Sequence, residues 1–165
     1  MKLPLLAILF LRTAALAAPV EKLADFELTD QESKLRTYRF PKTKVTVMTV
    51  ADKKGSEQLA PWIQRIRDRY ETSIDIDGVA DMSSVPGILR GTVRDSFRKK
   101  LTYSVMLDWE GSVVKHFGYA KGVANIYVIN RLGRIVTQVT GPLNDAAFQS
   151  ITREIDRAIT PTPNP

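Results

Sequence analysis

Apolar and polar positions alternate with a period of two over most of the chain and switch to a helical period in three places. The organising stretch is Val123 to Val136, in which two apolar runs flank Asn130-Arg131-Leu132-Gly133. Ile126, Val128, Ile135 and Val136 are β-branched and Tyr127 is aromatic, while Gly133 tolerates the positive φ of a short loop, so the pattern predicts a hairpin at the centre of a sheet. Upstream, Asp25-Phe26-Glu27-Leu28 reads as a short edge strand ending in the polar cluster Thr29 to Ser33. Leu35, Thr37, Tyr38 and Phe40 supply its partner before Pro41. Lys44 to Ala51 reads as a buried central strand and Ser73 to Asp77 as a second, parallel one, joined by a helix that carries Leu59, Trp62, Ile63, Ile66 and Tyr70 on one face. Ser56 or Gly55 opens that helix and Pro61 bends its first turns.

A second helix follows Val85-Pro86, with Ile88, Leu89, Val93 and Phe97 facing inward and Arg90, Arg94 and Arg98 four apart on another face. Ser104 to Leu107 reads as a strand and Asp108 to Gly111 as a turn, with Ser112-Val113-Val114 as the returning strand. Asn144 or Asp145 caps a last helix bearing Phe148, Ile151, Ile155 and Ile159, and Thr160 to Pro165 reads as a disordered Pro-rich tail.

With 165 residues, 44% of them hydrophobic and 25% charged, the chain fits one globular domain. Its start, Lys2 followed by an apolar run to Leu11 and then Ala14-Ala15-Leu16-Ala17-Ala18, reads as a signal peptide over residues 1–18, cleaved after Ala17 or Ala18. Arg12 is atypical within such a segment, and an uncleaved amphipathic N-terminus is the other reading. The expected organisation is a signal peptide at 1–18, one domain at 19–159 and a tail at 160–165. The compartment is then periplasmic or secreted, with no transmembrane segment after cleavage. Losing the leader removes Lys2 and Arg12, two of the 24 cations against 18 acids, so the remaining positive excess is mild and does not suggest nucleic-acid binding. The sequence contains no cysteine, which excludes thiol chemistry by this chain.

Three stretches resemble the thioredoxin-fold redoxins of the AhpC/TSA or TlpA type: the opening Phe26-Glu27-Leu28-Thr29-Asp30, the turn Leu107-Asp108-Trp109-Glu110-Gly111, and the strand pair from Ile126 to Val136. Together with the order of elements, the likeness runs from about Asp25 to Ile159. It implies an α/β fold, a thioredoxin-like three-layer sandwich with a central mixed β-sheet flanked by helices. Departures from the pattern fall where that family does its chemistry. Its reactive cysteines stand after the central strand, at a helix start that depresses a thiol pKa. In a two-cysteine register the resemblance places Lys54 and Glu57 at those positions, and in a peroxiredoxin-like register it places Asp52 there. The family's proline before the hairpin is Ala124 here, and Lys34 stands near a usual glycine. The chain thus resembles a cysteine-less, divergent redoxin.

Asp52, Lys54, Glu57 and Ala124 are therefore degenerate redox-site positions. Asp52 and Glu57 flank a helix start, where carboxylates ordinarily answer the helix dipole and where a pair is also a candidate for acid–base or cation chemistry. Ser56 reads as a cap rather than a nucleophile. His116 is the single histidine, and with only Met48, Met82 or Met106 beside it forms a poor ligand set, so neither a metal nor another cofactor is expected. The basic run Arg90, Arg94, Arg98, Lys99 and Lys100 reads first as a solvated helix face, and also suits an acidic protein partner, a small anionic ligand or lipid headgroups. Trp62 belongs to a helix's apolar side, whereas Trp109 falls in a turn and is a candidate contact residue. Candidate binding residues are Arg90, Arg94, Arg98, Trp109 and His116. Two functions fit: a binding or accessory module of the bacterial envelope with no redox activity, or a non-redox enzyme or small-ligand or metal-binding protein that reuses the same pocket, with Asp52, Glu57 and either Arg94 or His116 converging on a small anionic or carbohydrate-like molecule.

Overall fold

The structure, a computed structural model, describes residues 22–160. The signal peptide read at 1–18, its cleavage point and the tail beyond Thr160 lie outside the described residues. Seven strands and five helices follow in the order β1 (Phe26–Thr29), β2 (Leu35–Tyr38), β3 (Thr46–Ala51), α1 (Lys53–Ser56), α2 (Leu59–Tyr70), β4 (Asp75–Asp81), α3 (Arg90–Lys100), β5 (Met106–Asp108), α4 (Ser112–Phe117), β6 (Asn125–Ile129), β7 (Ile135–Thr140) and α5 (Asp145–Ile159). The main sheet has the order β5-β4-β3-β6-β7, with β5, β4 and β3 parallel and β6 and β7 antiparallel. β1 and β2 form a separate antiparallel hairpin.

Every side chain of β3 and β6 is buried, as strands covered on both faces must be. Alternation sorts them: Val47, Ile126 and Val128 pack with Trp62, Ile66, Phe148, Ile151 and Ile155 beneath α2 and α5. Met48, Val50, Tyr127 and Ile129 pack on the other face, against α4 and the β1–β2 hairpin. Trp62 is fully buried and its indole N–H donates to the Gly141 carbonyl at 3.0 Å, tying α2 to the chain beyond β7. α3 lies beside α2 and covers Ala80, Met82, Val105 and Leu107 through Val93, Phe97 and Leu101, although none of its own residues is fully buried. The mixed sheet flanked by helices is the three-layer sandwich expected from the sequence.

Four sequence expectations are corrected. The predicted hairpin is present, with Asn130 Oδ1 accepting the Leu132 and Arg134 N–H groups at 3.0 Å and Gly133 at φ 86°, but only β6 is interior; β7 is the sheet's edge. Neither Ser56 nor Gly55 opens the first helix. Asp52 does, and the helical stretch breaks at Glu57-Gln58, which puts Pro61 third in α2, where its missing N–H would have had no intrahelical partner. Ile88 and Leu89 lie in a single 3-10 turn before α3 and point outward, 92% and 47% exposed, so they are not core. Ser112 to Val114 begins α4 instead of a strand, because Asp108 Oδ2 accepts the N–H groups of Val113 and Val114 at 2.8 and 2.9 Å and so caps a helix.

The β1–β2 hairpin is fastened to the sheet edge by Asp30 and Gln31. Asp30, 1% exposed, accepts the N–H groups of Glu32 and Lys34, each at 2.9 Å, together with the Ser104 hydroxyl at 2.9 Å and Arg36 Nε at 3.1 Å. Gln31 accepts the Val105 N–H and donates to the Tyr103 carbonyl. Burial pushes the Asp30 carboxyl up, but its hydrogen bonds and Arg36 outweigh that and hold it below the ordinary 3.8. The stability it carries is therefore complete above that ordinary value and is lost as pH falls through the lowered folded value. Asp30→Asn should cost about 2–3 kcal/mol in urea unfolding at pH 7, and the difference from wild type should shrink as pH is lowered below about 4.

Candidate functional site

Where β3 ends, Asp52 adopts extended backbone and caps α1, its Oδ1 accepting the Gly55 N–H at 2.8 Å. Its Oδ2 accepts the Gly122 N–H, also at 2.8 Å, from the loop that leads into β6. One carboxylate thus joins a helix start to a loop seventy residues away. Gln58 Oε1 accepts the Ala124 N–H at 3.1 Å, a bond a proline has no N–H to make. Asn125 closes the same loop from within, bonding both polar groups of Ala120 at 2.8 Å and the Val123 carbonyl at 2.9 Å. Gly55 is buried flush against the Val123 backbone, so that any β-carbon there would collide with its carbonyl.

Beside this clamp, Tyr119 donates its hydroxyl proton to Asp81, which also accepts the N–H and hydroxyl of Ser83 at 2.9 and 2.6 Å. Burial raises the Asp81 carboxyl, but these hydrogen bonds and Lys121 outweigh it and hold it below its ordinary value. Burial first, then the Asp81 carboxylate and more weakly Asp52, push the Tyr119 phenol up, so it stays a protonated donor at neutral pH. Asp81 and Tyr119 escaped sequence reasoning. The Asp-x-Ser spacing of Asp81 and Ser83 at a strand end was the available signal, since it marks a side-chain-capped turn.

Between α2 and α3 lies a cleft of about 440 Å³, within the range of small-molecule sites. Its floor is Thr49, Ala51, Gly78 and Ala80, which pair across β3 and β4 as Thr49↔Gly78 and Ala51↔Ala80. These small residues on alternate positions leave the space that larger ones would fill, and sequence reasoning missed them by scoring β3 only for buried apolar character. Leu59 and Ile63 of α2 and Val93 and Phe97 of α3 form its walls. Asp52, Lys53 and Ser56 line it at the clamp, while Lys100 and Tyr103 line it near the far end of α3.

The sequence-predicted residues do not converge. Asp52 and Ala124 meet in the clamp; Lys54 lies against Gly122, and Glu57 is exposed at the end of α1. Arg90 and Arg94 stack on the Trp109 ring at 5.4 and 5.7 Å, and Arg90 also pairs with Glu110 at 3.0 Å. Arg98 donates to the Gln31 carbonyl at 2.7 Å and pairs with Asp95 and Glu32. The arginine stripe is thus engaged internally, and Trp109 is half-buried among Val85, Val93, Phe97 and Leu101. His116 sits exposed on α4 with Nδ1 at 2.7 Å from the Ser112 carbonyl, and Met48, Met82 and Met106 are buried in the core. Among the described residues, no group of three or more His, Asp or Glu side chains is placed to hold a metal ion.

No family model and no curated protein matches the sequence. Solved structures do. The exposed lipoprotein thioredoxin of Streptococcus pneumoniae is 20% identical, with a TM-score of 0.61 over 79% of this chain and 99% of its own. A thiol:disulfide interchange protein of the thioredoxin family from Chlorobium tepidum is 16% identical, with a TM-score of 0.60 over 88% of this chain and 100% of its own. The peroxidoxin BcpB of Mycobacterium tuberculosis is 17% identical, with a TM-score of 0.58 over 86% and 97%. At such identities the likeness establishes the fold alone: the chain has the thioredoxin-like fold, in a form shared with redoxins, and carries no cysteine.

The clamp sets an order of costs. Asp52→Ala should lower unfolding stability by about 1–2 kcal/mol and speed hydrogen exchange at the Gly122 amide, since two backbone donors lose their acceptor together. Gly55→Ala should cost more, about 3 kcal/mol, because the opposing atoms are backbone and have little room to yield.

Proposed function

We propose that this is an exported, thioredoxin-fold binding or accessory module of the bacterial envelope that works without thiol redox chemistry. The observation that carries the reading is the fate of Asp52. At the helix start where the resemblance places a reactive cysteine, both carboxylate oxygens are committed to backbone amides, while an apolar cleft lies open beside them. A group committed in this way serves as a structural tie. The scatter of Glu57, Arg94 and His116 over separate elements gives the alternative of a converging non-redox active site no support. Export rests on the leader-like sequence before Pro19 and accords with the exposed lipoprotein among the structural neighbours.

Two measurements test it. Disulfide reduction and peroxide turnover should not exceed the buffer blank in protein free of contaminating redoxins; thiol-dependent turnover would refute the reading. In thermal unfolding at low salt against metals, anions, sugars and amphiphiles, a bound ligand at a hundred times its Kd should raise Tm by roughly 5–10 °C. No shift across the panel would point instead to a protein partner, detectable by cross-linking.

A further inference from the structure

The cleft between α2 and α3 has a chemistry that selects one kind of occupant. Its floor offers no free hydroxyl donor, because the Thr49 hydroxyl donates to the Asp77 carbonyl, and at the clamp the Ser56 hydroxyl donates to the Lys53 carbonyl. A sugar or a peptide backbone lying along Ala51, Gly78 and Ala80 would leave most of its own polar groups unpaired. α3, the cleft's outer wall, has no fully buried residue, so Val93 and Phe97 remain half-covered by protein alone. An aliphatic chain would complete their burial.

The two ends differ in charge. Asp52, the one carboxylate among the described residues that line the cleft, stands at the clamp end beside Lys53. At the other end stand Lys100 and Tyr103, both exposed, and Lys100 has no ion-pair partner among the described residues. From Val93 to Lys100 the wall runs roughly 10 Å along the helix. We propose that the cleft binds the anion of a free, single-chain fatty acid of medium length, tail along the Ala51, Gly78 and Ala80 floor and carboxylate at Lys100 and Tyr103. This rests on the reading of the protein as a binding module and names the ligand class of that site.

The test is calorimetric titration of the full chain with decanoate, decanol and decyltrimethylammonium, all below micelle formation. Decanoate should bind saturably at one site, with Kd on the order of 10 μM, and the cation should not compete with it. Lys100→Glu should weaken decanoate about tenfold and leave decanol unchanged, whereas Lys99→Glu, outside the cleft lining, should change neither. Ser96→Phe, which adds a ring from α3 into the cleft, should abolish both, with an unchanged circular dichroism spectrum showing that the fold is kept. Decanoate binding that survives Ser96→Phe would locate the site elsewhere, the apolar leader included, and overturn the proposal. So would equal losses in the two lysine variants, preference for the cation, or self-association of the chain that Ser96→Phe removes. If decanoate fails but another small molecule in the thermal panel shifts Tm, the fatty-acid assignment falls and the binding module stands; thiol-dependent turnover would remove the module reading itself.

Discussion

The Asp52 carboxylate is the constraint on which the candidate site of this molecule depends. A loop turning into a buried strand brings several backbone N–H groups out of water, and each must find an acceptor. Here the acceptors come from side chains: Asp52 for Gly122, Gln58 for Ala124 and Asn125 for Ala120. Because Asp52 also caps α1, the helix start and the loop are positioned by one group, and Gly55 lets their backbones touch. The arrangement ties down the end of the sheet at which the resemblance to redoxins places their reactive cysteines.

Rigidity at the clamp contrasts with the loosely covered space next to it. α2 is sunk into the core through Trp62 and Ile66, whereas α3 rests on the sheet through the half-buried Val93 and Phe97 and has no fully buried residue. Arg90 and Arg94 fold over Trp109 near its start, and Arg98 reaches the β1–β2 hairpin near its finish. The middle of α3 therefore stands over small residues of β3 and β4, and the cleft is the gap between a firmly seated helix and one tied down through arginines. Charge that looks like a solvated stripe along the chain is used to mount a wall.

Periodicity revealed most of the scaffold because burial on both faces of β3 and β6, and on one face of α2 and α5, demands continuous or periodic apolar runs that are visible locally. Where it misled, local pattern was overruled by a capping bond or by a neighbour. Ser112-Val113-Val114 has the composition of a strand, yet the Asp108 carboxylate claims two of its N–H groups and turns it helical. Ile88 and Leu89 fit an inward face only if the helix already includes them; it begins at Arg90, and the 3-10 turn before it leaves both pointing out. Trp109, unusual in a turn, earns its place by packing beneath two arginines that its sequence neighbours do not supply.

Some properties are legible before any coordinates: the order of strands and helices from their patterning, the absence of a thiol from a cysteine count, and the thioredoxin-like scaffold from the resemblance of Phe26 to Asp30, Leu107 to Gly111 and Ile126 to Val136 to redoxins. The candidate site is different in kind. That Asp52 reaches Gly122, that Gln58 reaches Ala124, and that Thr49, Ala51, Gly78 and Ala80 share one floor are facts about residues tens of positions apart. Only the parallel register of β3 with β4 and the return of β6 beside β3 bring them within reach. Hydrogen bonds and cavities act over a few ångströms, and chain connectivity carries no information at that range until the sheet has formed.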